Sequence, residues 1–273
     1  MRATKVLLGV DDNPTYAAFW PIVSRFWRER IGIEPVLLRV TSQLAEPRLD
    51  AYGQIITLPV VAGISTALQA QVVRMYGTGL FPDETCLISD LDMLPLSRGY
   101  FHDNLQPYGP GQLVVFSGDA YDRDPYREQR CQMCYVAGLG RELQTVFRAQ
   151  QTFADFVRGL AGLQLGWQTD EYHLGRCLKA PGSIEVVRLS RGFNELGLID
   201  RDRPQVFNPV ARRVPRRIDR GRWVYLLDLI ACDYYVDAHL PRGAEFPRAL
   251  ELVSAYDRAT QRRKGLLCSS PKS

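Results

Sequence analysis

The sequence has no long apolar run and only a small excess of positive charge. Among its 273 residues, no segment approaches the roughly 18 to 20 uninterrupted apolar residues of a membrane span. The early run VLLGV is five residues long and leads into Asp11 and Asp12, without the cleavage pattern of a signal peptide. The net charge of +4 is too small to predict a nucleic-acid partner by itself. We therefore expect a cytoplasmic protein with no transmembrane segment.

Residues that bind transition metals are also sparse. Cys131 and Cys134 have the spacing of half a zinc site or of a redox pair, but no second CxxC and no HxxxH follows. Several of the six cysteines lie in apolar runs, where a reduced thiol behaves as a small hydrophobe. The three histidines are His102, His173 and His239, and each taken alone is more often a structural residue than a ligand. We favour reduced thiols over a zinc site.

The apolar residues that are present form runs of strand length that alternate with helix-like segments. This alternation is typical of βαβ units and a mostly parallel sheet flanked by helices. It predicts strands over 5–10, 34–40, 54–60, 84–89, 113–118 and 184–189, and helices after Pro14, from Ser65 and over 141–160. We predict an α/β fold with one domain over 1–247, followed by a C-terminal helix and flexible tail over 248–273.

The run CLISDLDMLPLS, residues 86–97, places two acids at the end of a predicted strand. In an extended chain Asp90 and Asp92 would face one side and Leu91 the other. Ligands of open α/β sheets bind beyond the carboxyl ends of strands, and two carboxylates suit Mg²⁺ or Mn²⁺. Such a pair also occurs on solvated turns. We favour a metal site, because apolar sequence continues on both sides and burying two like charges is costly unless they are compensated.

A second acidic pair lies in WQTDEYHLG, residues 167–175. Thr169 is a good helix N-cap, and Asp170 and Glu171 would then be favourable acids in the first turn of the helix. A carboxylate at a helix start beneath a cleft can instead act as a general base toward an acceptor hydroxyl. Trp167 could stack on a sugar ring, although a tryptophan beside a helix start is more often part of the core.

Several blocks of the sequence together resemble nucleotide-sugar glycosyltransferases of the GT-A fold, and in particular a rhamnosyltransferase-like group from viruses and bacteria. The blocks are VLLGVDDNPTYAAFWPIV, QAQVVRMYGTGLFPDETCLISDLDMLPLSRGYF, CQMCYVAG, WQTDEYHL, RRIDRGRW and YYVDAHLPR. They extend over residues 5–243, and their order is more specific than any one of them.

The resemblance implies a metal-dependent transfer of a sugar, with a UDP-sugar as the donor and a glycan or lipid-linked hydroxyl as the acceptor. It implies Mn²⁺ or Mg²⁺ bound by Asp90, Asp92 and His239, and a catalytic role for Asp170 or Glu171 in an inverting or a retaining reaction. The donor would contact Val10, Asp11, Asn13, Gln71, Arg74, Asp90 and Leu91. The alternatives are an Asx turn at Asn13 and an exposed helix face at Gln71 and Arg74.

The segment 200–222 is strongly basic, with eight arginines against three aspartates. Such a run is usually a solvated loop, but arginines there could bind phosphate oxygens of a donor or rest on the anionic inner face of a membrane. Few aromatic residues accompany the arginines, which argues against nucleic acid. Two other functions stay open: a catalytically silent carbohydrate- or nucleotide-binding domain, and a sugar-1-phosphate nucleotidylyltransferase. The latter needs a glycine-rich phosphate loop that DDNPTY does not provide.

Overall fold

An eight-stranded sheet organises the chain in the computed structural model, which describes residues 1–46, 48–50, 52–116, 118–121, 129–180, 182, 184–189 and 236–240. The strands of this sheet are β1 (Lys5–Val10), β2 (Glu34–Thr41), β3 (Arg48–Leu49), β4 (Gln54–Pro59), β5 (Thr85–Ile88), β7 (Gln112–Val115), β8 (Val136–Leu139) and β9 (Glu185–Arg188), and β6 (Met93–Pro95) and β10 (Asp237–His239) form a separate two-stranded sheet. The sheet order is β3-β4-β2-β1-β5-β8-β7-β9, and all of these strands except β3 and β8 run in one direction. The predicted α/β class with a mixed, mostly parallel sheet is confirmed.

Helices cover both faces of this sheet. They are α1 (Pro14–Ala17), α2 (Trp20–Arg25), α3 (Thr66–Tyr76), α4 (Arg98–Asp103), α5 (Gly140–Val146), α6 (Phe153–Ala161) and α7 (Thr169–Lys179), with a π-helical turn over Phe26–Ile31 and 3₁₀ turns over Gly77–Leu80 and Gly166–Gln168. Strand β1 shows why both faces need cover. Its Val6 and Leu8 pack in the core with Trp27, whereas Leu7 packs in the opposite core with Val72 of α3. A parallel strand buried on both faces reads as a continuous apolar run.

Two helices predicted as continuous are broken. The segment after Pro14 forms α1 and then α2, because Pro21 in the first turn of α2 has no amide hydrogen to continue the first helix. The predicted helix over 141–160 is also wrong as a single element. Arg148 adopts a left-handed φ of 54°, and a new helix starts after Thr152, whose hydroxyl accepts a hydrogen bond from the amide of Asp155.

Close packing of α3 on β1 brings this helix to the carboxyl edge of the sheet. A Cβ atom added at Gly9 would lie 2.1 Å from the carbonyl oxygen of Ala70, so only glycine permits this approach. Nearby, β10 pairs antiparallel with β6, and the amide of Leu240 donates to the carbonyl of Asp92 over 2.7 Å. The late segment therefore lies directly beside the chain that follows β5.

Within the described part of the chain, no helix is both long and apolar enough to cross a membrane. The basic segment 200–222 and the predicted C-terminal helix and tail over 248–273 lie outside the described residues.

Candidate functional site

The carboxyl ends of β1 and β5 lie side by side and carry the first acids of the site. Leu7 of β1 is in register with Ile88 of β5, and the amide of Ser89 donates to the carbonyl of Leu7 over 3.1 Å. Asp11 follows one strand, and Asp90 follows the other. The predicted position of the acidic pair beyond a strand end is therefore confirmed.

The segment Asp90–Asp92 is a turn, and this corrects the prediction from strand alternation. The strand ends at Ile88, and the amide of Met93 reaches back to the carbonyl of Asp90 over 3.2 Å. Leu91 is buried in the core, Asp92 is buried with 6% exposure, and the Asp90 side chain is 35% exposed. The two acids therefore share one turn but differ in their access to solvent.

Arg74 of α3 is the centre of a buried charged cluster. Its guanidinium forms an ion pair with Asp90, donates to the carbonyl of Ser89 over 3.1 Å, and donates to Asp170 at the start of α7 over 2.7 Å. The side chains of Arg74 and Asp170 are 8% and 5% exposed. One cation thus pairs with two carboxylates from distant parts of the chain. Such compensation is what burial of a carboxylate requires.

The start of α7 differs from the prediction at one residue. Thr169 has helical φ and ψ, so it does not cap the helix, and its hydroxyl donates instead to the carbonyl of Gly166 over 2.7 Å. Asp170 and Glu171 occupy the first turn as predicted. The amide of Glu171 donates to the Asp170 carboxylate over 2.9 Å, which leaves Asp170 fixed by both backbone and Arg74.

The Glu171 side chain belongs to a different cluster, and no local pattern in the sequence pointed to its partners Tyr121 and Arg130. The hydroxyl of Tyr121 donates to one carboxylate oxygen, and the guanidinium of Arg130 lies 2.6 Å from the other. The same guanidinium stacks over the Tyr121 ring, 4.2 Å from its centroid. Burial, followed by the hydrogen bond and the charge of Glu171, raises the pKa of Tyr121 above its ordinary value. Asp170 and Glu171 are therefore adjacent in sequence but belong to different clusters.

Gln71 binds the turn that precedes α7. Its side-chain amide donates to the carbonyl of Trp167 over 2.7 Å. Contacts of Gln71 with Trp167 and of Arg74 with Asp170 follow the same three-residue step along both segments. Gln71 and Arg74 of α3 thus both contact the segment at the start of α7. Arg74 is buried and is not part of an exposed helix face.

The end of β1 is organised by short polar contacts. Val10 is buried, and Asp11 accepts hydrogen bonds from the hydroxyl of Thr66 over 2.8 Å and from the amide of Asn13 over 3.1 Å. The Asn13 side chain accepts from the amide of Thr15 over 3.0 Å, which is the helix-start turn considered as the alternative to a ligand contact.

Asp12, Arg39 and Thr41 form a further polar group at this edge that the sequence analysis did not single out. Arg39 lies 2.6 Å from the Asp12 carboxylate, and Thr41 donates to it over 2.8 Å. Although burial raises the pKa of Asp12, these two partners outweigh burial and hold the pKa below its ordinary value. Arg39 interrupts the apolar run of β2 two residues before the strand ends at Thr41, and this was the available signal in the sequence.

The other residues considered as metal ligands are His239, Cys131 and Cys134. The backbone of His239 pairs with Met93, but the His239 side chain lies outside the described residues. No group of three His, Cys, Asp or Glu side chains suited to a metal occurs among the residues that the structure describes. Cys131 and Cys134 are buried and form no disulfide within the described residues, and burial, as the largest cause, raises the pKa of Cys131 to about 11.

Comparisons with known proteins give structural similarity only. No protein-family model matches the sequence, and no curated protein matches it. The chain is similar to the glycosyltransferase GlyE of Streptococcus pneumoniae TIGR4, with 12% identity and a TM-score of 0.43 over 71% of this chain and 47% of that one, so it spans about half the length of GlyE. It is also similar to the galactosyltransferase LgtC in complex with donor and acceptor sugar analogs, with 13% identity and a TM-score of 0.48 over 92% of this chain and 95% of that one. Both structures are glycosyltransferases, at identities too low to transfer an activity.

Proposed function

We propose that this protein transfers a sugar from a nucleoside-diphosphate sugar, a UDP-sugar, to a hydroxyl of a glycan or lipid-linked acceptor. The observation that carries the proposal is the buried cluster in which Arg74 joins Asp90 to Asp170 at the carboxyl edge of the sheet. A ligand-binding crevice in an open α/β sheet is expected at this edge. Buried charge concentrated there is costly for stability, which is typical of a functional site.

The donor would lie across the ends of β1 and β5. The base and ribose would contact Val10, Asp11 and Asn13, since these residues end β1 beside the β5 turn. The sugar and diphosphate would contact Gln71, Arg74 and the Asp90–Leu91 backbone. A guanidinium is well suited to phosphate oxygens because its donors form a planar fork.

The acids of the turn fit Mg²⁺ or Mn²⁺. Asp90 and Asp92 offer hard oxygen ligands within one turn, and Mg²⁺ needs only one or two carboxylates when phosphates and waters complete its shell. Asp90 is 35% exposed beside the ion pair with Arg74, so its carboxylate is accessible to a cation that phosphates and waters also coordinate. Asp90, Asp92 and His239 would hold the ion. The metal, when bound, supplies charge neutralisation for the departing diphosphate.

Asp170 is the better of the two acids in α7 for a place at the reacting sugar. The carboxylates of both residues are bound, but Glu171 pairs with Tyr121 and Arg130, whereas Asp170 shares Arg74 with the acidic turn. As a general base Asp170 would accept the proton of the acceptor hydroxyl in an inverting reaction. In a retaining reaction it would contact the donor sugar instead. Proton NMR of the first anomer formed separates the two.

The proposed enzyme would act in the cytoplasm. When the acceptor is lipid-linked, the basic segment 200–222 would contact anionic lipid of the membrane. Co-sedimentation with vesicles of phosphatidylglycerol and phosphatidylcholine, compared with phosphatidylcholine alone, tests this contact. Substitution of the segment's arginines by glutamine should remove the difference.

Thermal unfolding with UDP, with and without Mn²⁺, followed by UDP release from a panel of UDP-sugars, tests the function. We expect metal-dependent stabilisation by UDP that Asp92→Ala removes. Asp83→Ala is the matched control, because that side chain is 81% exposed and pairs only with Arg141 in the described structure. Metal-dependent UDP binding without turnover on any donor would favour the silent binding domain, and absence of both would reject the proposal.

A further inference from the structure

Trp167 is an exposed aromatic side chain next to the charged cluster. Its relative exposure is 62%, whereas Trp20 and Trp27 are buried with 6% and 0% exposure. An exposed indole leaves a large apolar surface in water, which is unfavourable unless a ligand covers that surface. The expectation that Trp167 belongs to the core is therefore wrong.

The backbone that presents this ring is fixed. The carbonyl of Trp167 accepts a hydrogen bond from Gln71 over 2.7 Å. The preceding carbonyl, that of Gly166, accepts from the buried Thr169 hydroxyl over 2.7 Å, and Gly166 adopts a left-handed φ of 63°. Both anchors involve backbone atoms of the turn, so substituting the indole would leave them in place. A platform held in this way loses little conformational freedom when a ligand binds.

The platform and the cluster lie in register along α3. Gln71 contacts Trp167, and Arg74 contacts Asp170, three residues further on in both segments. Three residues of a helix rise about 4.5 Å. The Trp167 carbonyl and the Asp170 carboxylate therefore contact residues of α3 that are about 4.5 Å apart along the helix axis, a separation comparable to the width of one pyranose ring. Few ligands combine an apolar face with a ring of hydroxyls at this spacing, and a pyranose does.

We propose that Trp167 is the acceptor platform, on which a pyranose ring of the glycan stacks its C–H face while one of its hydroxyls reaches Asp170. This inference rests on the proposed function for the identity of Asp170 as the reacting acid. The donor base is assigned to the end of β1, so the indole is left for the acceptor. Stacking without directional polar contacts would make Trp167 tolerant of the sugar's configuration, and Asp170 would select the hydroxyl.

Substituting Trp167 should weaken binding of the acceptor and leave binding of the nucleotide unchanged. Covering on the order of 100 Å² of aromatic surface corresponds to a loss of roughly thirtyfold to seventyfold in acceptor affinity when that surface is removed. We expect Trp167→Ala to raise the acceptor KM by this factor, Trp167→Phe to raise it less, and neither to change the dissociation constant of UDP. Leu80→Ala is the matched control, because Leu80 is an exposed apolar side chain, with 44% exposure, beyond the other end of α3.

The test is binding of the fluorescently labelled wild-type protein and the three variants to an array of immobilised glycans, with UDP titrated by calorimetry in parallel. Glycan binding that Trp167→Ala loses and Leu80→Ala keeps supports the platform even if no UDP-sugar is turned over. Equal glycan binding by Trp167→Ala and the wild type, or no glycan binding by the wild type, overturns the platform. Failure of UDP binding with intact, Trp167-dependent glycan binding rejects the transfer reaction instead.

Discussion

Replacing Arg74 by methionine should destabilise the protein strongly, because it removes the cation from a buried pair. The Arg74 and Asp170 side chains are 8% and 5% exposed, and their nearest atoms lie 2.7 Å apart. Removing one partner of such a pair costs about 3 to 5 kcal/mol, since the other charge stays buried without compensation. We expect about 3 kcal/mol, the lower end of that range, because Asp170 also accepts a backbone hydrogen bond from Glu171.

The second contact of Arg74 adds little to this value. The Asp90 side chain is 35% exposed, so solvent screens its pair with Arg74, and such pairs contribute about 0 to 1 kcal/mol. For a chain of this length a loss of about 3 kcal/mol corresponds to a Tm lower by roughly 6 to 12 °C. This loss is expected in the protein alone, because the pair exists without a ligand; with UDP the loss should be larger, because Arg74 also contacts the donor in the proposed site.

Urea unfolding followed by far-UV circular dichroism measures the effect, with Arg141→Met as the control. Arg141 lies 2.6 Å from Asp83, but the two side chains are 58% and 81% exposed, so this variant should change stability by less than about 1 kcal/mol. In a double-mutant cycle, Arg74→Met and Asp170→Asn together should cost less than the sum of the two single changes. Equal effects of Arg74→Met and Arg141→Met, or strict additivity with Asp170→Asn, would refute the buried pair.

Three further outcomes follow from other contacts. Asp92→Asn should abolish the Mn²⁺ dependence of UDP binding in calorimetry. An unchanged dependence would mean that Asp92 does not bind the metal. Burial, with a smaller contribution from the charge of Glu84, raises the pKa of Cys86 from 9.0 to about 12, so its protonated form stabilises the fold below pH 9 and that stability is lost as pH rises toward 12. Urea unfolding across this window should show a flatter decline for Cys86→Ala, and an identical slope would contradict this. The Tyr135 hydroxyl donates to Asp237 over 2.7 Å in the core, so Tyr135→Phe should cost about 1 to 3 kcal/mol, against no change if the contact is absent.

Local signals in the sequence predicted the sheet well and the turns poorly. The β1, β2 and β5 runs are buried on both faces, so their apolar continuity was a reliable signal of parallel strands. The same continuity misled at Asp90–Asp92, because the apolar residues that follow belong to the separate strand β6. A turn of a few residues within apolar sequence depends on packing that no local pattern records.

The chemistry of the cluster depended on contacts between distant residues. Arg74 and Asp170 are 96 positions apart, and only the packing of α3 against the start of α7 joins them. From the sequence, a metal ion was expected to compensate the acids after β5. The structure places an arginine there for Asp90, so a metal is no longer needed to explain why this strand end is stable. The different surroundings of Glu171 and Asp170 could not be predicted, because they depend on the contact of Glu171 with the distant Tyr121.

The most direct measurement of the central claim is calorimetric titration of UDP into the protein with Mn²⁺ and with EDTA, for the wild type and Asp92→Ala. If the ends of β1 and β5 form a metal-dependent nucleotide-sugar site, UDP binds the wild type with Mn²⁺ and binds it much more weakly in EDTA. For Asp92→Ala the affinities in Mn²⁺ and in EDTA should be the same. UDP binding that is absent, or that is equal in Mn²⁺ and EDTA for both proteins, would contradict the account.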